Sequence, residues 1–79
     1  MIKVIFFGPV AERVGANMLQ IKFRKNMRLD DLYQQMQDLY PAAFEIVCFT
    51  AVNGEHVRDM RLPVADHSEV VFMSKYSGG

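Results

Sequence analysis

One segment of the chain, Leu29 to Tyr40, repeats its apolar residues at helical spacing, and segments with strand character lie on both sides of it. Its apolar side chains recur three or four residues apart and form a single stripe. That stripe comprises Leu29, Leu32, Tyr33, Met36, Leu39 and Tyr40. Pro41 is expected to end the helix. Because one amphipathic helix covers only one face of a sheet, the segment predicts an α+β roll with the helix packed across one face.

Five other segments have the β-branched and aromatic composition of strands. They are Ile2–Phe7, Met18–Phe23, Ile46–Val52, Glu55–Val57 and Glu69–Met73. Asn53-Gly54 favours a tight turn before the fourth strand, and Pro9–Gly15 has room for one helical turn. The first and last strands are rich in apolar residues, so we place them side by side in the middle of a mixed sheet of about five strands.

Length and charge narrow the function classes. The 79 residues form one domain, 1–79, and the 9 basic and 9 acidic residues give a formal net charge of +0. This balance argues against nucleic acid as the main partner. No apolar run reaches the roughly 18 residues of a transmembrane helix, and the first residues lack the features of a signal peptide. With the single cysteine Cys48, we expect a cytoplasmic protein without disulfides and without a membrane partner.

The polar side chains do not form a recognisable catalytic or metal-binding pattern. Cys48 lies in the apolar run from Ile46 to Phe49, so we interpret it as an inert structural residue. His56 and His67 are far apart in the chain and lack a second cysteine nearby, which disfavours zinc. The carboxylates are scattered, and no glycine-rich phosphate-binding motif occurs. We therefore predict no catalytic side chain, no metal and no bound cofactor.

Apolar residues on the side of the sheet away from the helix predict an interaction surface. Alternation directs four apolar side chains of the first and last strands to that side: Ile5, Phe7, Val71 and Met73. If the two strands are neighbours, these four form one exposed patch, and such patches mark interfaces. The alternative is ordinary apolar surface without a partner.

The end of the sequence carries almost no side-chain bulk, since its last residues are Ser77, Gly78 and Gly79. Glycine lets a backbone pass through a narrow channel, and the group such a tail would present is the α-carboxylate of Gly79. We expect residues 74–79 to be a flexible tail. The alternative is a frayed terminus without a role.

Motifs along the whole chain resemble one known family. They are the opening Met1–Phe7, the loop Val10–Gly15, the turn entry Ala51–Asn53, the run Asp66–Val70 and the terminal Gly78-Gly79. Together they resemble the MoaD/ThiS family of ubiquitin-like sulfur carriers, and within it the small subunits of molybdopterin synthase. Lys75 and Tyr76 depart from the pattern, because the family often has paired prolines shortly before its final glycines.

The resemblance implies a β-grasp fold and a carrier of sulfur in molybdenum-cofactor biosynthesis. An E1-like adenylyltransferase would consume ATP to adenylate Gly79. A sulfur donor, such as a cysteine desulfurase or rhodanese, would then convert the adenylate to a thiocarboxylate. The large subunit of molybdopterin synthase would bind the patch, where Phe7 and Met73 are the best matches to the family's docking face and His56 lies beside them. It would thread Ser77 and Gly78 and transfer the sulfur to a precursor pterin, so the chain itself would not be an enzyme.

Three alternatives stay open from the sequence. The chain could carry sulfur for thiamine, cysteine or tungsten-cofactor synthesis, because the chemistry at Gly79 would be the same. It could be a ubiquitin-like modifier that forms isopeptide bonds with lysine, which high-mass conjugates would reveal. It could also be a plain binding module, in which case truncating the tail would not change partner binding.

Overall fold

The computed structural model describes residues 1–75, and Tyr76 to Gly79 lie outside the described residues. The elements in chain order are β1 (Ile2–Phe6), α1 (Gly8–Val14), β2 (Met18–Ile21), α2 (Leu29–Leu39), α3 (Pro41–Phe44), β3 (Val47–Val52), β4 (Glu55–Val57) and β5 (Glu69–Ser74). Every predicted strand is present with similar bounds. The predicted helical turn is the two-turn helix α1, and α3 is an element that the sequence analysis did not anticipate.

The strands form one five-stranded sheet in the order β2-β1-β5-β3-β4. β1 and β5 are parallel neighbours in its interior, with Val4 opposite Val70 and Phe6 opposite Phe72. The other three pairings are antiparallel. The predicted mixed sheet and its central pair are therefore confirmed. The Asn53-Gly54 turn is also present, with φ of 51° and 87° at its two residues, as a type I′ hairpin requires.

The core lies between the sheet and the helices. Alternate residues of β1 and β5 are buried against α2, which contributes the buried residues Leu29, Leu32 and Met36. At the centre, the Phe72 ring lies 5.2 Å from the ring of Phe44 and 5.9 Å from that of Tyr33, both edge-on. This aromatic cluster joins the sheet to α2 and α3 and confirms that helices cover one face.

The apolar stripe of α2 ends earlier than predicted, because Leu39 is 58% exposed. Tyr40 leaves helical geometry with φ −133° and ψ 64°, and the chain then turns into α3 at Pro41. α3 buries Phe44 in the core. Pro41 thus ends one helix, as predicted, and begins the next, where its missing N–H costs no hydrogen bond.

The start of α2 lacks a favourable capping residue, since Arg28 stands at the cap position. Backbone carbonyls of a distant loop replace the usual side-chain cap. The N–H groups of Leu29 and Asp30 donate to the carbonyls of Leu62 and Met60, at 3.0 and 2.8 Å. These bonds satisfy two of the donors that every helix leaves unpaired at its first turn. The helix start was therefore decided by tertiary contact.

The amino terminus is held against the loop before β5. The Met1 ammonium donates to Asp66 Oδ1 at 2.7 Å, and the backbone N–H of His67 donates to the same oxygen at 2.9 Å. The hydrogen bond from the ammonium, aided by that from His67, holds the pKa of Asp66 below its ordinary value. The N–H of His67 also bonds the Met1 carbonyl, which fixes the start of β1 beside this loop.

Replacing Phe72 with alanine should lower the free energy of unfolding by about 3–5 kcal/mol, because the substitution empties the centre of the aromatic cluster. Phe72→Leu should cost less and remains measurable if the alanine variant does not fold. Leu39→Ala is the matched control on the exposed side of α2 and should change stability by about 0.5 kcal/mol or less. Urea unfolding measures all three. Equal effects for Phe72→Ala and Leu39→Ala would contradict this view of the core.

The carboxyl of Asp66 should titrate below its ordinary pKa in the folded protein, and acetylation of the amino terminus should raise that pKa. The pKa of Asp66 is lower in the folded protein than in the unfolded chain. The contact therefore stabilises the folded protein at pH values above the pKa of the unfolded chain. That contribution is lost as pH falls through the folded pKa. Carboxyl carbon chemical shifts followed by NMR measure the titration. An Asp66 pKa that acetylation leaves unchanged would show that the ammonium contact is absent in solution.

Candidate functional site

The side of the sheet opposite the helices, here called the open face, carries one row of side chains that crosses all five strands. The register places Met18 beside Ile5, Ile5 beside Val71, Val71 beside Ala51, and Ala51 beside His56. Four of these five residues are apolar, and the row ends in the exposed imidazole of His56. A continuous row of this kind offers a flat apolar surface to a partner.

A second row lies next to the first, at the end of the sheet where β1 and β5 both finish. Phe49 pairs with Met73, and Phe7 follows the Phe6 that pairs with Phe72. The rings are substantially exposed, with Phe7 at 49% and Phe49 at 45%. The His56 imidazole stands edge-on to Phe49, with ring centroids 6.1 Å apart. The open face therefore combines aliphatic, aromatic and imidazole groups.

The structure brings together all five residues that the sequence analysis assigned to a docking patch. Ile5, Phe7, Val71 and Met73 lie in the two rows, and His56 closes the first. Sequence reasoning missed Met18 on the outer strand β2, and Phe49 and Ala51 on the interior strand β3. Their signal was present, because Phe49 and Ala51 alternate with the buried Thr50. An irregularity one residue earlier obscured it.

That irregularity is a β-bulge at Cys48. The pairing of β3 with β5 shifts register between Val47 and Phe49, so Cys48 is the extra residue. In a regular strand, Cys48 would share the core-facing side with Thr50. The bulge removes it from this alternation, and its side chain is exposed. The expectation that apolar surroundings enclose Cys48 is therefore wrong, whereas its inertness stays a prediction.

The two histidines lie apart in the described part of the chain. His67 lies in the loop before the central strand β5, beside Asp66, whereas His56 lies on the edge strand β4. Within residues 1–75, no three His, Cys, Asp or Glu side chains are grouped for a metal ion. A groove of about 630 Å³ beside β3 and β4 is lined by Tyr33, Arg58 and Asp30 among others. The Asp30 carboxylate in it is ion-paired with Arg28, which keeps its pKa below the ordinary value.

The chain leaves the sheet beside the second row of the open face. β5 continues through Ser74, which pairs with Val47 and is buried, so the strand is one residue longer than predicted and the tail is correspondingly shorter. Because β1 and β5 are parallel, the end of β5 is next to Phe7. Ser77, Gly78 and Gly79 lie outside the described residues, and their roles stay predictions. Among the described helices, none has the length and apolar character needed to cross a bilayer.

Comparison with known proteins gives one family and several solved structures with the same fold. The model of the ThiS family matches residues 4–79. The search of curated proteins gave no match.

Among solved structures, a protein from Pyrococcus furiosus titled molybdopterin converting factor, subunit 1, is 20% identical with a TM-score of 0.82, covering 92% of this chain and 94% of that one. Small archaeal modifier protein 1 (SAMP1) from Haloferax volcanii is 17% identical with a TM-score of 0.82, covering 99% and 98%.

A third structure is the complex of subunits 1 and 2 of molybdopterin-converting factor from Helicobacter pylori. The matching chain is 24% identical with a TM-score of 0.71, covering 99% of this chain and 97% of that one. At these identities the likeness shows the fold. The expected ubiquitin-like β-grasp architecture is therefore confirmed.

Proposed function

Because the chain belongs to the ThiS family, we propose that it is a sulfur carrier whose terminal residue, Gly79, holds the sulfur as a thiocarboxylate. One observation carries the proposal beyond the family. The second row of the open face lies at the end of the sheet where β5 finishes and the tail starts. Met73 is in the last part of β5, and Phe7 lies next to it. A partner that covers the open face would therefore receive the tail directly.

The chemistry at Gly79 needs activation, because a free carboxylate is a poor acyl donor: it lacks a good leaving group. We propose that an E1-like enzyme transfers AMP from ATP to the carboxylate and releases pyrophosphate. A persulfide on the donor, a cysteine desulfurase or a rhodanese, would attack the acyl carbon and expel AMP. A thiol that cleaves the resulting acyl disulfide would form a disulfide with the donor cysteine and leave the thiocarboxylate on Gly79. Small residues at Ser77 and Gly78 would let the tail enter each active site in turn.

We propose the molybdenum cofactor as the pathway and the large subunit of molybdopterin synthase as the sulfur acceptor. The Helicobacter pylori complex supports this choice, since a chain with this fold is there bound to the second subunit of molybdopterin-converting factor. The large subunit would hold the precursor pterin and supply the acid–base groups. The carrier would supply sulfur at high effective concentration and no catalytic side chain. Its need for ATP-dependent activation favours the cytoplasm.

Incubation with ATP, an E1-like activating enzyme and a sulfur donor should raise the intact mass by the difference between one sulfur and one oxygen. Deleting Gly79 should abolish the gain, because the new terminal carboxylate, on Gly78, would stop one residue short of the reactive centre of the activating enzyme. Leu39→Ala, at an exposed position of α2, is the matched control and should react normally. Mass spectrometry of the intact chain measures the product.

Two results would contradict the carrier proposal. One is a deletion variant that still gains sulfur. The other is an intact chain that stays unmodified while a known carrier reacts in the same mixture. Lysine conjugates of high mass in place of a thiocarboxylate would instead identify a protein modifier. Sulfur transfer to an acceptor other than the pterin enzyme would retain the carrier and change the pathway.

Phe7→Glu should weaken binding to the large subunit by about thirtyfold or more, because docking would bury an unpaired carboxylate at the centre of an apolar contact. Phe7 is exposed in the free chain, so the unfolding free energy should change little. Leu39→Glu adds the same charge to the helical side and is the matched control. Titration calorimetry measures both affinities. Equal affinities of the two variants would show that the large subunit does not bind the open face.

A further inference from the structure

The outer edge of β2 is a row of backbone groups without partners in the described part of the chain. The N–H of Phe6 donates to the Asn17 carbonyl at 2.8 Å, which fixes the hydrogen-bonding phase of the β1–β2 ladder. Every second residue, Leu19 and Ile21, therefore turns its backbone groups toward β1. Met18 and Gln20 turn theirs outward. No residue among 1–75 accepts from or donates to those outward groups.

The same edge leads into a concentration of positive charge. Lys22, Arg24 and Lys25 follow β2 directly, and all three are exposed. Within the described residues none of them forms an ion pair. No aspartate or glutamate occurs between Arg13 and Asp30, although the chain as a whole is neutral. A neutral protein thus carries a locally basic strand edge.

We propose that this edge binds an extended acidic segment of a partner protein, which adds a sixth strand antiparallel to β2. Its backbone would bond the outward N–H and C=O groups of Met18 and Gln20. In this orientation the amino-terminal half of the segment lies beside Lys22 and Lys25, so that half carries the carboxylates. The exposed Met18 side chain would contact the less polar half.

Two other occupants fit the edge less well. A second copy of the chain would bring its own β2, which lacks acidic residues and would leave Lys22 and Lys25 without opposite charges. A nucleic acid would neutralise Lys22 and its neighbours but would leave the outward groups of Met18 and Gln20 without strand pairing. An acidic strand satisfies both the charges and the backbone. This inference is independent of the chemistry proposed for Gly79.

Lysines beside an exposed edge strand also discourage accidental pairing with other edges. The experiment therefore has to distinguish an edge that binds an acidic segment from one whose lysines only repel other edge strands. The probe is an acetylated and amidated eight-residue peptide with four glutamates followed by alternating valine and threonine. The comparison probes are the reversed sequence, a version with lysine for glutamate, and a single-stranded oligonucleotide. Each is titrated into the isotope-labelled full chain, with amide chemical shifts and amide hydrogen exchange as the measurements.

The glutamate-first peptide should shift the amides of residues 17–25 and slow the exchange of the Met18 and Gln20 amides. The lysine peptide should not bind. Lys22→Glu should lower the affinity for the glutamate-first peptide by about fivefold, because it removes one exposed ion pair. Arg58→Glu makes the same charge change at the opposite edge of the sheet and should leave the affinity unchanged.

A variant of the backbone completes the test. Gln20→Pro removes an outward N–H that the folded chain does not use, so it should block the peptide without breaking the β1–β2 ladder. Its thermal unfolding midpoint checks the fold, and Lys22→Glu carries the test if that variant is unstable.

Three outcomes would overturn the proposal. The first is peptide binding without slower exchange at Met18 and Gln20. The second is equal binding of the oligonucleotide, which would identify a general anion site. The third is concentration-dependent self-association through the same residues, which would identify a second copy as the occupant.

Discussion

The parallel pairing of β1 with β5 is the constraint on which the rest of the structure depends. Two parallel strands cannot be joined by a tight turn, so the chain between them has to cross one face of the sheet. α2 and α3 lie in that crossing and cover the buried side of both strands. The parallel pairing also places the carboxyl-terminal ends of β1 and β5 at the same end of the sheet. As a result, Phe7 and Met73 become neighbours although they are at opposite ends of the sequence.

β1 and β5 carry apolar residues on both faces, and the two faces have different consequences. On the buried side, Val4, Phe6, Val70 and Phe72 are enclosed by helices and supply the apolar burial that stabilises a small domain. On the open face, the alternate residues Ile5, Val71 and Met73 remain partly exposed. The same two strands therefore carry the folding core on one side and a surface suited to a partner on the other.

The periodicity of apolar residues predicted the helix, the strands and the faces of regular strands. It failed where one inserted residue or a contact with a distant segment determined the local structure. Alternation assigned Ile5 and Val71 to the open face correctly, because a strand keeps its alternation unless a residue is inserted. Cys48 is such an insertion, and its bulge hid both its own exposure and the place of Phe49. The α2 start depends on the carbonyls of Met60 and Leu62, about thirty residues away. Such a contact has no local signal.

The position of β1 and β5 also determines how the domain would respond to mechanical load. β1 begins at Ile2 and β5 ends at Ser74, and the two strands are parallel, so tension between the ends of the chain acts along both of them. Such tension shears the ladder, and its hydrogen bonds have to break together, whereas a hairpin pulled at its open end would unzip one bond at a time. β5 is also bonded to β3 on its other side, which adds a second ladder under the same load. The arrangement gives a domain of this size a high resistance to being pulled apart by the ends.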